Sequence, residues 1–224
     1  MANIRVAIDG PAGAGKSTVS REVARQLGYV YLDSGAMYRA VAYAALSRDV
    51  SLNDADALTE LANQVHISFN QDVPPAVFLD GTDVSTKIRT PELGTAASMV
   101  SQVSGVRVAM VKQQQALGKS DNIVMEGRDI GTVVFPDAEV KVYLTATVEE
   151  RARRRSGELR AAGQTVANDE IARQIAERDF RDMNRDDSPL RVADGAWELV
   201  TDGIGISDVI ALIVDRVKAF TPAG

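Results

Sequence analysis

Apolar positions along the chain switch between unbroken runs and helical spacing in a regular order. Ile4-Arg5-Val6-Ala7-Ile8-Asp9 is mostly apolar and predicts a buried strand. Val19, Val23 and Leu27 then recur at helical spacing, and Gly28 stands where that helix should end. Residues 29–32 predict a second strand, 36–46 a strong helix, and 53–64 a helix with Leu58 and Leu61 inward. The period then falls to two. Residues 65–69 and part of 76–79 alternate, and Asp80-Gly81 supplies a hairpin turn before Thr82-Asp83-Val84. Thr90-Pro91-Glu92 opens another helix, and after a break near Ser104-Gly105 one more covers 106–117. Buried strands are expected at 123–125 and 140–144, helices at 145–155 and 168–185, a last strand at 197–200, and a closing helix to 219 capped by Ser207. Residues 157–164, polar and glycine-punctuated, read as a mobile loop.

Strands alternating with helices predict an α/β fold with a parallel central sheet in three layers. The short antiparallel element is too small to stand alone and reads as an insertion within one domain, over about 62–100. Composition narrows the setting. The 224 residues contain no cysteine, which removes disulfides, thiolate metal sites and cysteine nucleophiles. No leader segment and no membrane-length apolar run is visible, so a soluble, cytoplasmic and monomeric protein is expected. A net charge of −6 argues against a partner that is a nucleic-acid polymer. The single histidine, His66, reads as a solvent-facing strand residue.

The chemistry concentrates between the first strand and the first helix. Gly10-Pro11-Ala12-Gly13-Ala14-Gly15-Lys16-Ser17-Thr18 fits G-x-x-x-x-G-K-S in the context that pattern requires. Glycines let the backbone curl its N–H groups inward, and the helix adds its positive end. Lys16 would reach the terminal phosphates, and the Ser17 hydroxyl would ligate Mg²⁺. A nucleoside triphosphate, ATP, is the expected ligand. Between 142 and 217 every basic side chain is arginine, whose fork suits bidentate contact with phosphate. Arg160, Arg173 and Arg216 read instead as solvated helix positions. Arg39, Arg107, Arg128 and the Arg178-Arg181-Arg185 series come from separate elements, as a second phosphorylated ligand would need, and Asp182 shares their helical face. That favours a kinase over a guanine-reading switch, since no Asn-Lys pair occurs. Kinases for other small acceptors, such as shikimate, and a non-catalytic nucleotide-dependent binder stay open on these residues alone, as do a cap role for Asp33 and a surface ladder for Asp182.

Further segments make a resemblance specific: Leu32-Asp33-Ser34-Gly35-Ala36-Met37-Tyr38-Arg39, Ala96-Ala97-Ser98, Glu126-Gly127-Arg128-Asp129-Ile130-Gly131-Thr132, and Glu177-Arg178-Asp179 through Asn184-Arg185. In this order they resemble the bacterial cytidylate kinase family, within the nucleoside monophosphate kinases, over essentially the whole chain. The resemblance implies transfer of the γ-phosphoryl group of ATP to CMP or dCMP, with the insertion as monophosphate-binding lobe and 156–167 as lid. It implies that Arg39 and Arg128 hold the acceptor's phosphate, that Ser34, Ser98, Arg107 and Arg185 surround the cytosine, and that Arg178 and Asp182 meet the ribose. Arg154 would border the lid and reach ATP. Catalytic roles would fall to Lys16, Arg128, Asp129, Arg155, Arg178 and Arg181. Glu126 departs from the aspartate of some members, while Ser17, glycine in some, strengthens the metal-ligand reading.

Overall fold

The computed structural model describes residues 3–70, 72, 75–119, 121–161, 163–164 and 166–220. In chain order it forms β1 (Arg5–Asp9), α1 (Lys16–Leu27), β2 (Val30–Asp33), α2 (Ser34–Ser47), α3 (Ala55–Gln64), β3 (Ile67–Phe69), β4 (Val77–Leu79) and β5 (Thr82–Asp83). There follow α4 (Pro91–Val100), α5 (Ser104–Leu117), β6 (Ile123–Gly127), a π-turn at Ile130–Val134, β7 (Val140–Thr145), α6 (Val148–Ala161), α7 (Asn168–Asn184), β8 (Trp197–Val200) and α8 (Ile206–Phe220).

The main sheet has the order β2-β6-β1-β7-β8 with every pairing parallel. Its two faces follow from the pleat. Val6 and Ile8 point with Val124, Val142 and Leu144 toward α1 and α8, which supply Val19, Val23, Ile213 and Val217. Ala7, Leu32, Ile123 and Met125 point the other way, toward Ile130, Val134 and Phe135. Strands covered on both sides are unbroken apolar runs for that reason. Chain direction across the sheet reverses at β1, with β2 and β6 on one side and β7 and β8 on the other. The crevice over the carboxyl ends at such a reversal is where open parallel sheets bind ligands.

A third core joins α2 to α5 with the antiparallel β3-β4-β5 sheet, through residues such as Met37, Val41, Leu58, Ile67, Ile88 and Met110. The inserted sheet is therefore fastened to the body through α2, α3 and α5. His66 is exposed just ahead of β3, its backbone N–H donated to the Asp80 carboxylate at 2.7 Å. Arg216 lies over the Trp197 ring, 5.0 Å from its centre, a more specific place than a solvated face.

One segment differs from the sequence expectation. Much of the loop expected over 157–164 is helical, since α6 runs on through Ala161. Ion pairs at helical spacing support it, Arg153 and Arg154 to Glu150 and Arg155 to Glu158, and Leu159 packs inward. Gly157 sits in open space, where its cost to a helix is small beside these contacts. Conversely, α6 begins at Val148, because Thr145 completes β7.

Candidate active site

The loop after β1 is shaped by close approach. A Cβ on Gly10 would sit 2.0 Å from the Leu144 carbonyl oxygen of the adjacent strand, so only glycine passes. Gly15, at φ 88°, turns the chain into α1, whose first residue is Lys16. Lys16 is 6% exposed, and its Nζ lies across the loop, donating to the Pro11 carbonyl at 2.7 Å. Burial, with the Arg128 charge, lowers its pKa to about 7 against the opposing pull of Glu126.

Glu126, next to last in β6, lies beside Asp33 of β2, in register. Burial first, then the Asp33 charge, raises its pKa to about 7. Tyr31 donates its phenol to Glu126 Oε1 at 2.5 Å, and the Ser17 hydroxyl lies close enough to this carboxylate to favour its charged form. A hydroxyl and a carboxylate at the mouth of a phosphate loop are the hard oxygen donors that a magnesium ion accepts, so the set fits a cation arriving with a triphosphate. Among the described residues no group of three or more His, Cys, Asp or Glu is placed to hold a metal alone. Asp33 caps α2, accepting the Ala36 N–H at 3.1 Å, and lies 3.6 Å from Arg39.

Arginines from separate elements come together here. Arg128 leaves the end of β6 and donates Nε to Asp182 of α7 at 2.8 Å. Burial would raise the Asp182 pKa, but Arg128, with Arg178 and Arg185, outweighs it and holds the group below the usual carboxylate range. Asp129 pairs with Arg107 and lies 3.7 Å from Arg185, while Arg107 stacks 5.5 Å from the Tyr38 ring centre. Arg178 opens to the cleft from α7. Surrounding protein, then the charges of Arg128, Arg39 and Arg181, pull its pKa down to about 10. Mutually repelling cations held this close form a site for an anion.

Other sequence-selected residues sit differently. Ser34 donates to the Glu126 carbonyl at 2.7 Å, and Ser98 is half-buried one turn before Ser101, whose carbonyl accepts from Arg107 at 3.1 Å. Arg154 spans Glu150 and Thr201, reaching the Thr201 carbonyl at 2.7 Å. Arg155 is exposed and turned to Glu158, and Arg181 is exposed on α7. Three residues that sequence reasoning gave no role belong to the same region. Asp9 accepts the N–H groups of Ile130 at 2.9 Å and Gly131 at 2.7 Å, tying β1 to the π-turn after Arg128 and Asp129. Tyr31 holds Glu126, and Asp179 meets the loop at Ala12. Only the position of Asp9 against Gly10 hinted at this; the partners of the other two are remote in sequence.

A phosphate loop on the central strand, with converging arginines beside it at a sheet reversal, is the architecture of the P-loop kinase fold. A model of the cytidylate kinase family matches residues 6–219, and the chain belongs to that family. It is 44% identical over 218 residues to a cytidylate kinase of Caldanaerobacter subterraneus subsp. tengcongensis, covering 97% of this chain and 96% of that one. It is 52% identical over 215 residues to a bifunctional pantoate ligase/cytidylate kinase of Trichormus variabilis, covering 94% of this chain. The chain spans only 40% of the length of that bifunctional relative. The crystal structure of TT1252 from Thermus thermophilus matches with a TM-score of 0.50 at 19% identity, covering 100% of each chain, and bears on the fold alone.

Proposed function

We propose that the chain transfers the γ-phosphoryl group of ATP to the 5′-phosphate of CMP or dCMP. The observation that carries this reading is the group of guanidiniums, Arg39, Arg128 and Arg178, beside Lys16 and the phosphate loop. A phosphate oxygen of the acceptor attacks the γ-phosphorus in line, the bond to the β,γ-bridging oxygen breaks, and ADP leaves with that electron pair. The acceptor is already an anion, so no general base is required. Lys16 and the arginines neutralise charge on the transferring group and fix the two phosphates in line. Ser17 and Glu126 would hold a divalent cation, Mg²⁺ in this reading, which would supply positive charge to the transferring phosphoryl group.

Base choice has a similar logic. Cytosine presents an acceptor at N3 and an amine donor at N4, and uracil reverses both. Arg107, Arg185, Ser34 and Ser98 supply a matching donor and hydroxyl set, leaving uracil against unpaired groups. The antiparallel β3-β4-β5 sheet with α4 serves as the monophosphate-binding lobe, and α6–α7 as the lid. No helix among the described residues is long and apolar enough to cross a membrane. The reading places the protein in the cytoplasm as a monomer.

A panel of acceptors with ATP and Mg²⁺, read as ADP release, tests this directly. CMP and dCMP should turn over well ahead of UMP, AMP and shikimate. Faster release with any of those three, or release indifferent to acceptor, overturns the reading.

A further inference from the structure

Helices α6 and α7 carry a small core of their own, with Ala152, Ile171 and Ile175 at its centre and Val148, Leu159 and Val166 around it. None of these side chains belongs to the three larger apolar clusters of the sheet and the inserted lobe. The pair therefore has apolar contacts of its own and meets the body through polar ones, Arg154 to Thr201 and Asp182 to Arg128 among them.

Where this hairpin meets the phosphate loop the contact changes in kind. Arg151, 5% exposed, comes from α6, and Asp179, 7% exposed, from α7; they pair at 2.5 Å. Arg151 also donates to the Ala12 carbonyl at 3.0 Å and to the Ala146 carbonyl at 2.8 Å. Asp179 accepts the Ala12 N–H at 3.2 Å. Both polar groups of one loop residue are thus taken, the N–H by α7 and the carbonyl by α6. Beside it, a Cβ on Gly13 would lie 3.3 Å from Arg151 Cβ and 3.7 Å from Ile175 Cδ1, so the hairpin also rests against the loop.

A buried ion pair is weak as glue, because desolvation offsets most of its attraction. Apolar side chains already close this hairpin more cheaply a turn away. What a fork-shaped pair adds is direction: it ties both helices to the same loop residue.

We propose that Arg151 and Asp179 are positioning residues for phosphoryl transfer, forming a pivot through which the loop at Ala12 sets the attitude of the α6–α7 hairpin. ATP settling in the loop adjusts the Ala12 backbone, and the hairpin follows as one body, bringing its arginines over the triphosphate and excluding water. The proposal rests on the phosphotransferase reading above, but its central step concerns ATP and this chain alone.

The test follows amide hydrogen exchange in the full chain, with and without a non-hydrolysable ATP analogue, alongside ATP hydrolysis without acceptor and transfer to CMP. In the wild type the analogue slows exchange both in residues 10–18 and across α6 and α7. Asp179→Asn keeps an oxygen for the Ala12 N–H but loses the charge, and Arg151→Lys keeps the charge but loses the fork. In both, protection of the loop should stay within about twofold while that of the hairpin falls roughly tenfold. The ratio of hydrolysis to transfer should rise roughly tenfold, with kcat for transfer falling more than KM for ATP rises. Arg153→Ala, which removes an exposed pair on the outer face of α6, should change none of these. Hairpin protection equal to wild type in both variants overturns the pivot, and so does parallel loss in loop and hairpin, the mark of plain destabilisation. A wild-type chain that protects its hairpin but ignores CMP overturns the acceptor reading and leaves the pivot to the exchange data.

Discussion

Lys16 and Asp182 show how one side chain's surroundings divide its duties. Lys16 is buried at the helix start with its charge aimed across the loop, and it contributes no apolar contact to a core. Lys16→Ala should therefore leave the fold intact and lower kcat for transfer by about two to three orders of magnitude, the usual cost of one preorganised charge. Circular dichroism with steady-state turnover checks both halves. Asp182 is engaged with Arg128 in this structure, so its loss acts twice. In the proposed reading it removes an acceptor for ribose hydroxyls, and it frees the arginine that reading assigns to the phosphate. Asp182→Ala should cost at least about tenfold in kcat/KM for CMP and somewhat less for dCMP, which lacks one hydroxyl. Equal, unchanged kcat/KM on both acceptors would return Asp182 to a structural pair. Asp9 makes a prediction in pH. Burial, opposed by two backbone N–H bonds, raises its pKa from 3.8 to about 6. The folded chain then holds this proton more tightly than the unfolded one. Its contribution to stability is full below about pH 4 and is lost as pH rises to about 6. Asn cannot titrate, so the stability of wild type over Asp9→Asn should shrink across that window in denaturant titrations at pH 4, 5 and 6 and stay flat above. A difference that grows with pH would mean that the carboxylate, rather than the acid, is the favoured buried form.

Elements that bury a continuous face were legible from the chain, and elements defined by remote partners were not. The strands of the parallel sheet, and α1, α2 and α5, lie within a few residues of their expected positions, because their apolar periods reflect burial in the sheet and lobe cores. The π-turn at Ile130–Val134 had no such period; its shape depends on Asp9, which is distant in sequence. The continuation of α6 past Ser156 was masked by glycine and polar residues, whose spacing as ion pairs counts only once the helix exists. In the site, the phosphate loop was readable as a local pattern and the converging arginines as a composition. Their pairing into Arg107–Asp129 and Arg128–Asp182 depended on the fold. The crossing of the phosphate loop over β7 is the least forgiving of these contacts. Gly10→Ala would drive a methyl into the Leu144 backbone, and the parallel pairing of β1 with β7 would have to open. It should cost at least about 3 kcal/mol and lower soluble yield, measurable as a fall in denaturant midpoint. A midpoint near wild type would mean that the strand pair can slide.

Across the molecule, cations gathered in the cleft are a strain relieved by ligands. Arg178 lies among Arg128, Arg39 and Arg181, with Asp182 opposing them, in a protein that is negative overall. Binding of a phosphorylated acceptor should therefore stabilise the fold beyond its area of contact. At a hundredfold excess over Kd the gain is about 2.7 kcal/mol, or roughly 5–10 °C in Tm for a chain of this size. Arg178→Ala should leave the free protein as stable as wild type or slightly more so, while shrinking the CMP-induced shift. Thermal scans with and without CMP decide it, and a variant that is less stable alone yet fully responsive to CMP would place Arg178 in structural packing. Function here is set against stability, as is common at charged sites.

Trp197, stacked under Arg216, has a practical consequence in optics. It is the chain's single tryptophan, and it opens β8 opposite Val142, three residues before the carboxyl edge where the cleft lies. Intrinsic emission therefore reports the seam between β8 and α8, and should follow global unfolding while staying nearly silent to nucleotides. The exposed Phe180 on α7 offers the complementary vantage point. In a Trp197→Phe background, Phe180→Trp would give a single emitter on the hairpin, turning its attitude into a signal that stopped-flow mixing with ATP can time.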